Sequence, residues 1–165
     1  MQKRVLSLLV DNTAGVTTRV SGLFSRRGYN IDSITGGVTA DERFSRITVV
    51  CSGDELILEQ ITNQLAKLVD VRDIKILEPD SSVCHELMMI KVAAKPEQRQ
   101  GLISIADVFH AKVADVSVDS MILEMTGNHN KLEAFLELMG DYEILELART
   151  GMTGLSRGSQ DVTYF

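Results

Sequence analysis

The stretch from Arg4 to Ile34 constrains this chain more than any other. It joins an apolar run, Val5 to Val10, to the short polar segment Asp11-Asn12-Thr13-Ala14-Gly15 and then to a helical pattern from Val16 to Arg27. Val16, Val20, Leu23, Phe24 and Arg27 recur at helical spacing, with Thr17, Thr18, Ser21, Ser25 and Arg26 between them. Gly28 is placed to end the helix, and a second strand opens with Tyr29, Asn30 and Ile31. In the first strand Val5 and Leu9 point to one face while Leu6, Leu8 and Val10 point to the other, which predicts a strand covered on both faces.

A short polar loop between a buried strand and a helix gathers the helix's unpaired N–H groups at one point, where the macrodipole also favours negative charge. A carboxylate would sit well there. Gly15 has no side chain to block approach to the backbone, and Asn12 offers both a donor and an acceptor, as an α-amino and α-carboxyl pair requires. Asn30 offers the same two groups at the mouth of the next strand. Asx and glycine are also the ordinary capping and turn residues, so the residue types alone leave a plain turn open.

Further along, Tyr29 to about Thr39 and Phe44 to Cys51 form a hairpin through Asp41 and Glu42. Asp54 caps a second helix with Leu58, Ile61, Leu65 and Leu68 in its stripe, and Asp70 to Leu77 forms a strand with Ile74 and Ile76 inward. Glu78, Pro79, Asp80, Ser81 and Ser82 read as a linker. After it the same order recurs. Leu87 to Val92 is a strand, Pro96 opens a helix with Leu102, Ile103, Ala106 and Phe109, and Lys112 to Val118 pairs with Met121 to Met125. Asn130 is the expected cap of a helix with Leu132, Phe135, Leu136 and Met139, and Glu143 to Arg149 closes the set.

The reading is α+β, two ferredoxin-like βαββαβ domains in tandem. The predicted division is 1–78, a linker at 79–83, and 84–165 including a Gly-rich tail. The second unit's loop, Ala93 to Gln98, has neither Gly nor Asn, so a ligand site is not expected there. Met88, Met89, Met121, Met125 and Met139 are read as core filler. In the tail, Gly151, Gly154 and Gly158 interrupt Met152, Leu155 and Arg157, which predicts either disorder or ordering against a partner.

Composition excludes several functions. A net charge of −6 and an aromatic content of 5% without Trp argue against nucleic-acid binding by charge or by stacking. The run at Met1 to Val10 is too short for a signal-peptide core and is closed by Asp11, and no segment has the apolar length to cross a bilayer. Cys51 and Cys84 show no Cys-x-x-Cys pattern, which fits reduced thiols in a cytoplasmic protein. His85, His110 and His129 are scattered without ligand spacing, and no metal site is expected.

Asp11-Asn12-x-x-Gly15-Val16, then Leu23-Phe24-Ser25-x-Arg27-Gly28-Tyr29-Asn30-Ile31 and Ser45-Arg46, resembles the ACT domain of acetolactate synthase (acetohydroxyacid synthase) small, regulatory subunits. The resemblance continues through Leu65 to Val71, Lys131 to Leu136, Ala148-Arg149-Thr150-Gly151 and Gly154-Leu155-Ser156-Arg157-Gly158, so it covers nearly the whole chain. It implies a non-catalytic subunit that activates a catalytic large subunit and confers feedback inhibition by valine in branched-chain amino-acid synthesis. The resemblance implies no cofactor in this chain; thiamine diphosphate, Mg²⁺ and FAD would belong to the catalytic partner. It also implies a homodimer through the ACT domains. Asn12, Thr13, Ala14, Gly15 and Val16 of one protomer and Asn30 and Ile31 of the other would then hold the effector.

Two rival readings stand beside it. Gly15-Val16-Thr17-Thr18-Arg19 is similar to the anion cradle of acylphosphatases, but that chemistry also needs an Asn near the end of the second strand, and Thr35 to Ala40 has none. The other rival is a free-standing amino-acid sensor, which has no evident use for the tail.

Overall fold

The computed structural model describes residues 1–160 and 162. The first six elements are β1 (Gln2–Asp11), α1 (Val16–Arg27), β2 (Ile31–Val38), β3 (Phe44–Gly53), α2 (Glu55–Ala66) and β4 (Val71–Ile76). They form an antiparallel sheet in the order β2-β3-β1-β4, the ferredoxin-like arrangement expected from the sequence, with β2 and β4 at the edges.

Side-chain alternation along the strands explains the core. Leu6, Leu8 and Val10 of β1 and Ile47, Val49 and Cys51 of β3 turn to one face, where Val16, Val20, Leu23 and Phe24 of α1 and Leu58, Ile61 and Leu65 of α2 meet them. Burial on this scale contributes about 1.5–3 kcal/mol for each large apolar side chain. Ser7 and Leu9 on the opposite face of β1 are also buried, at 2% and 1% exposure, so β1 is covered on both faces as its apolar run predicts.

The second set is β5 (Ser82–Ala93), a 3₁₀ turn (Pro96–Gln98), α3 (Arg99–Val108), β6 (Lys112–Val116), β7 (Ser120–Gly127), α4 (His129–Leu138) and β8 (Ile144–Arg149), with strand order β6-β7-β5-β8. Met88, Met121, Met125 and Met139 lie in its core with Leu102, Leu132 and Phe135, whereas Met89 is 38% exposed and is not core filler. Phe109 and Phe135 meet edge to face, with ring centroids 5.4 Å apart.

Several local expectations are corrected. The cap of α4 is Asn128, whose Oδ1 accepts from Lys131 N–H at 2.9 Å; Asn130 lies inside the helix, because capping needs an acceptor three residues before a free N–H. Pro96 opens a 3₁₀ turn, and α3 starts three residues later. β2 begins at Ile31, since Tyr29 N–H is taken by Phe24 O at 2.9 Å where Gly28 ends α1. β6 stops at Val116.

The linker and the tail differ most from expectation. β5 starts at Ser82, because the tail supplies it with a partner: Thr153–Ser156 forms a strand, β9, paired with β5. Arg157 N–H also donates to Ser81 O at 2.7 Å, and Thr35 Oγ1 donates to Met152 O at 2.9 Å. From Met152 to Arg157 the tail is thus ordered against the chain's own first unit. Two compact units result, one of Met1–Cys84 with the described residues from Met152 onward, the other of His85–Gly151. The sequence division had placed the tail with the second unit; its backbone pairing puts it with the first.

Candidate functional site

Asp11 ends β1 and Val16 begins α1, so the loop between them is four residues long and closely constrained. Asp11 N–H donates to Asp70 O at 2.9 Å and Asn12 N–H to Arg43 O at 2.8 Å, which fixes the loop's start against the neighbouring strand ends. Gly15 is the N-cap at φ +85°, a left-handed conformation that costs a side-chain-bearing residue about 1–2 kcal/mol. A methyl group on Gly15 would lie 2.9 Å from Arg19 Nη1, so the backbone conformation favours glycine and a side chain there would also displace the Arg19 guanidinium.

The start of α1 carries no side-chain cap and no acidic residue in its first turn, unlike α2, where Asp54 accepts from Ile57 N–H at 2.8 Å. Arg19 N–H is bonded to Gly15 O at 3.0 Å. The N–H groups of Val16, Thr17 and Thr18 come before it and have no acceptor within the helix. Together with the macrodipole they make this end suited to an anion.

Beside it is a cavity of about 360 Å³ walled by Val10, Asn12, Thr13, Val16, Ile34, Gly36, Val38 and Ile47 among others. Asn12 donates through Nδ2 to Glu42 O at 2.8 Å and accepts through Oδ1 from Ser45 at 3.2 Å, so its side chain is oriented by the β2–β3 hairpin. An amide nitrogen has a second hydrogen and its oxygen a second lone pair, which leaves capacity for a ligand. Val10, Val16, Ile34, Val38 and Ile47 give the cavity an apolar wall.

Of the residues singled out in sequence, Asn12, Thr13 and Val16 line the cavity, and Ala14 and Gly15 belong to the loop without forming its wall. Asn30 is exposed at the start of edge strand β2, donating to Asp32 Oδ1 at 3.1 Å, and Ile31 packs partly against the core. Neither lies in the cavity wall of this chain.

Sequence reasoning missed Ile34, Gly36, Gly37 and Val38 of β2 as walls. It also missed two ion pairs around the loop. Arg72 holds Asp11 through two bonds of 2.7 and 2.8 Å, and Arg19 Nε holds Asp70 at 2.5 Å. Arg72 keeps the Asp11 carboxyl below its ordinary range, and Asp70 raises the Arg19 guanidinium. These partners lie far apart in sequence, and no local pattern marks them.

The second unit's corresponding loop is built differently. Lys95 N–H is bonded to Gln98 Oε1 at 3.1 Å, and Arg99 Nη2 donates to Ser117 O and Val118 O at 3.0 and 2.7 Å, so the chain itself supplies the polar contacts. Among the described residues no three His, Cys, Asp or Glu side chains are grouped to hold a metal ion, and no helix is long and apolar enough to cross a membrane.

A βαββαβ sheet with a glycine loop ahead of an uncapped first helix and an edge at its second strand has the build of an ACT domain, and the family model for that domain matches it. Residues 6–73 match the family model described as "AHAS small subunit-like ACT domain", and residues 85–158 match that described as "Small subunit of acetolactate synthase". The chain is 46% identical over 157 residues to the acetolactate synthase small subunit of Mycolicibacterium smegmatis, covering 95% of this chain and 92% of that one. It is 45% identical over 159 residues to that of Bacillus subtilis, covering 96% and 92%. The crystal structure of the acetolactate synthase small subunit from Thermotoga maritima superposes with a TM-score of 0.87 at 36% identity, over 96% of this chain and 99% of that one. The chain belongs to the acetolactate synthase small-subunit family.

Proposed function

We propose that this chain is the regulatory, non-catalytic subunit of an acetolactate synthase, activating a catalytic large subunit and making it sensitive to feedback inhibition by valine. One observation carries the reading. The uncapped start of α1 opens beside a cavity with an oriented Asn12 and an apolar wall. Valine's carboxylate would meet the free N–H groups, its ammonium the Asn12 side-chain oxygen, and its isopropyl group the wall.

Dimerisation completes the site. β2 is an edge strand with Asn30 exposed at its start, and a twofold that pairs two such edges removes an open ladder and brings Asn30 and Ile31 of one protomer to the loop of the other. Thiamine diphosphate, Mg²⁺ and FAD are assigned to the catalytic partner, and the pair to the cytoplasm, where Cys51 and Cys84 stay as free thiols. Inhibition follows if valine binds more tightly to the less active state of the assembly, a coupling of about 1–3 kcal/mol being typical.

Activity of a matched catalytic subunit, with and without this chain and valine, tests the proposal. Activation that valine reverses is the expected result. No effect of either would overturn it and leave the free-standing sensor; activation without valine sensitivity would overturn the effector site alone.

A further inference from the structure

The loop Asp11–Gly15 is held at both ends by one short segment, residues 70–72 at the entry to β4. At the loop's first residue, Asp70 O accepts the Asp11 N–H and Arg72 grips the Asp11 carboxylate with two bonds. At its last residue, Arg19 lies against the backbone: its Nη1 occupies the space next to Gly15 and its Nη2 approaches Ala14 O at 3.5 Å. The Asp70 carboxylate, with only 12% of its side chain exposed, fixes that guanidinium through Nε. None of Arg19, Asp70 and Arg72 walls the cavity.

We propose that Arg19, Asp70 and Arg72 are positioning residues of the effector site, a clamp that holds the loop in the shape presenting the α1 N–H groups before the effector arrives. The inference rests on the effector reading given above and adds the groups on which effector affinity depends from outside the pocket. A loop ordered in advance loses less entropy on binding. Because Asp70 acts on both ends of the loop, through its carbonyl and its carboxylate, the two ends are ordered as one unit.

The clamp and a direct ligand make opposite predictions. If the Arg19 guanidinium bound the effector carboxylate itself, releasing it from Asp70 would tighten binding. If it is a clamp, Arg19→Gln and Asp70→Asn each weaken binding, and the double variant is no worse than either single, since both remove one interaction.

The test is calorimetric titration of the whole chain with L-valine, with amide hydrogen exchange at residues 12–18 measured in the absence of amino acid. Each single variant is expected to weaken valine by about tenfold, the effect of having to order one flexible group at each binding event. Exchange in the loop should rise in both, and Arg19→Lys, which keeps the charge but loses the fork, should recover part of the affinity. Tighter binding in Asp70→Asn, additive losses, or wild-type loop exchange in both singles would overturn the clamp. Failure of the wild-type chain to take up valine would overturn the effector reading instead, while the exchange measurement still decides whether the clamp orders the loop.

Discussion

Substituting alanine for Gly15 separates the role of the proposed effector loop from general stability, because Gly28 supplies a matched control. Both glycines have positive φ, +85° and +68°, so alanine at either should cost about 1–2 kcal/mol of backbone strain. They differ in surroundings. A methyl on Gly28 meets nothing within 4 Å, whereas on Gly15 it meets Arg19 Nη1 at 2.9 Å. Gly28→Ala should therefore lower stability by about that amount and leave the response to valine unchanged. Gly15→Ala carries the same strain and must also push Arg19 aside.

The loop is exposed, so it will relax locally rather than unfold the unit. A shift of about 1–2 kcal/mol toward other loop shapes reduces the competent population, and with it the apparent affinity, by roughly 5- to 30-fold. The assays are urea unfolding for stability and valine inhibition of the reconstituted enzyme for function. Normal valine inhibition in Gly15→Ala, with unfolding curves of the two variants superimposed, would refute the reasoning.

Three further outcomes are expected. Gly154→Val should undock the tail, since a Cβ there would meet Cys84 Sγ at 2.5 Å and Val83 O at 2.7 Å; alkylation of Cys84 should accelerate, while Cys51, buried and with its thiol pushed up to about 11, stays unlabelled. Asn128→Ala should destabilise the second unit by about 1 kcal/mol through loss of the cap and Asn130→Ala by much less, as thermal melts would show. The Asp41 carboxyl is held down to about 2, below its ordinary 3.8, by the side chain and backbone N–H of Arg43. Its folded value is the lower one, so its stabilising contribution is present above pH 3.8 and is lost as pH falls through about 2. Arg43→Gln should move the NMR titration midpoint of Asp41 back toward 3.8.

Apolar periodicity made the fold readable in this sequence. Leu6, Leu8 and Val10 against Val16, Val20 and Leu23 state which faces meet, and the repeated element order leaves few topologies open. The loop at Asn12 and Gly15 was legible for the same local reason: a short polar segment before a helix without an acidic cap. What depended on pairing across the chain was not. The Arg19–Asp70 and Asp11–Arg72 pairs join residues that no periodicity relates, and Ser82 reads as linker until a strand from the tail lies beside it. Asn130 reads as the cap of α4 in sequence because asparagine is a good cap, and only the helix's true start assigns that role to Asn128.

The pairing of β9 with β5 means that the first unit is discontinuous, with the second inserted between its parts. During synthesis domains generally fold in the order in which they emerge from the ribosome. Here the sheet β2-β3-β1-β4 emerges first, yet its unit stays open until Met152–Ser156 has been made. A chain that stops anywhere within the second unit would leave β5 without its β9 partner and Thr35 without its acceptor.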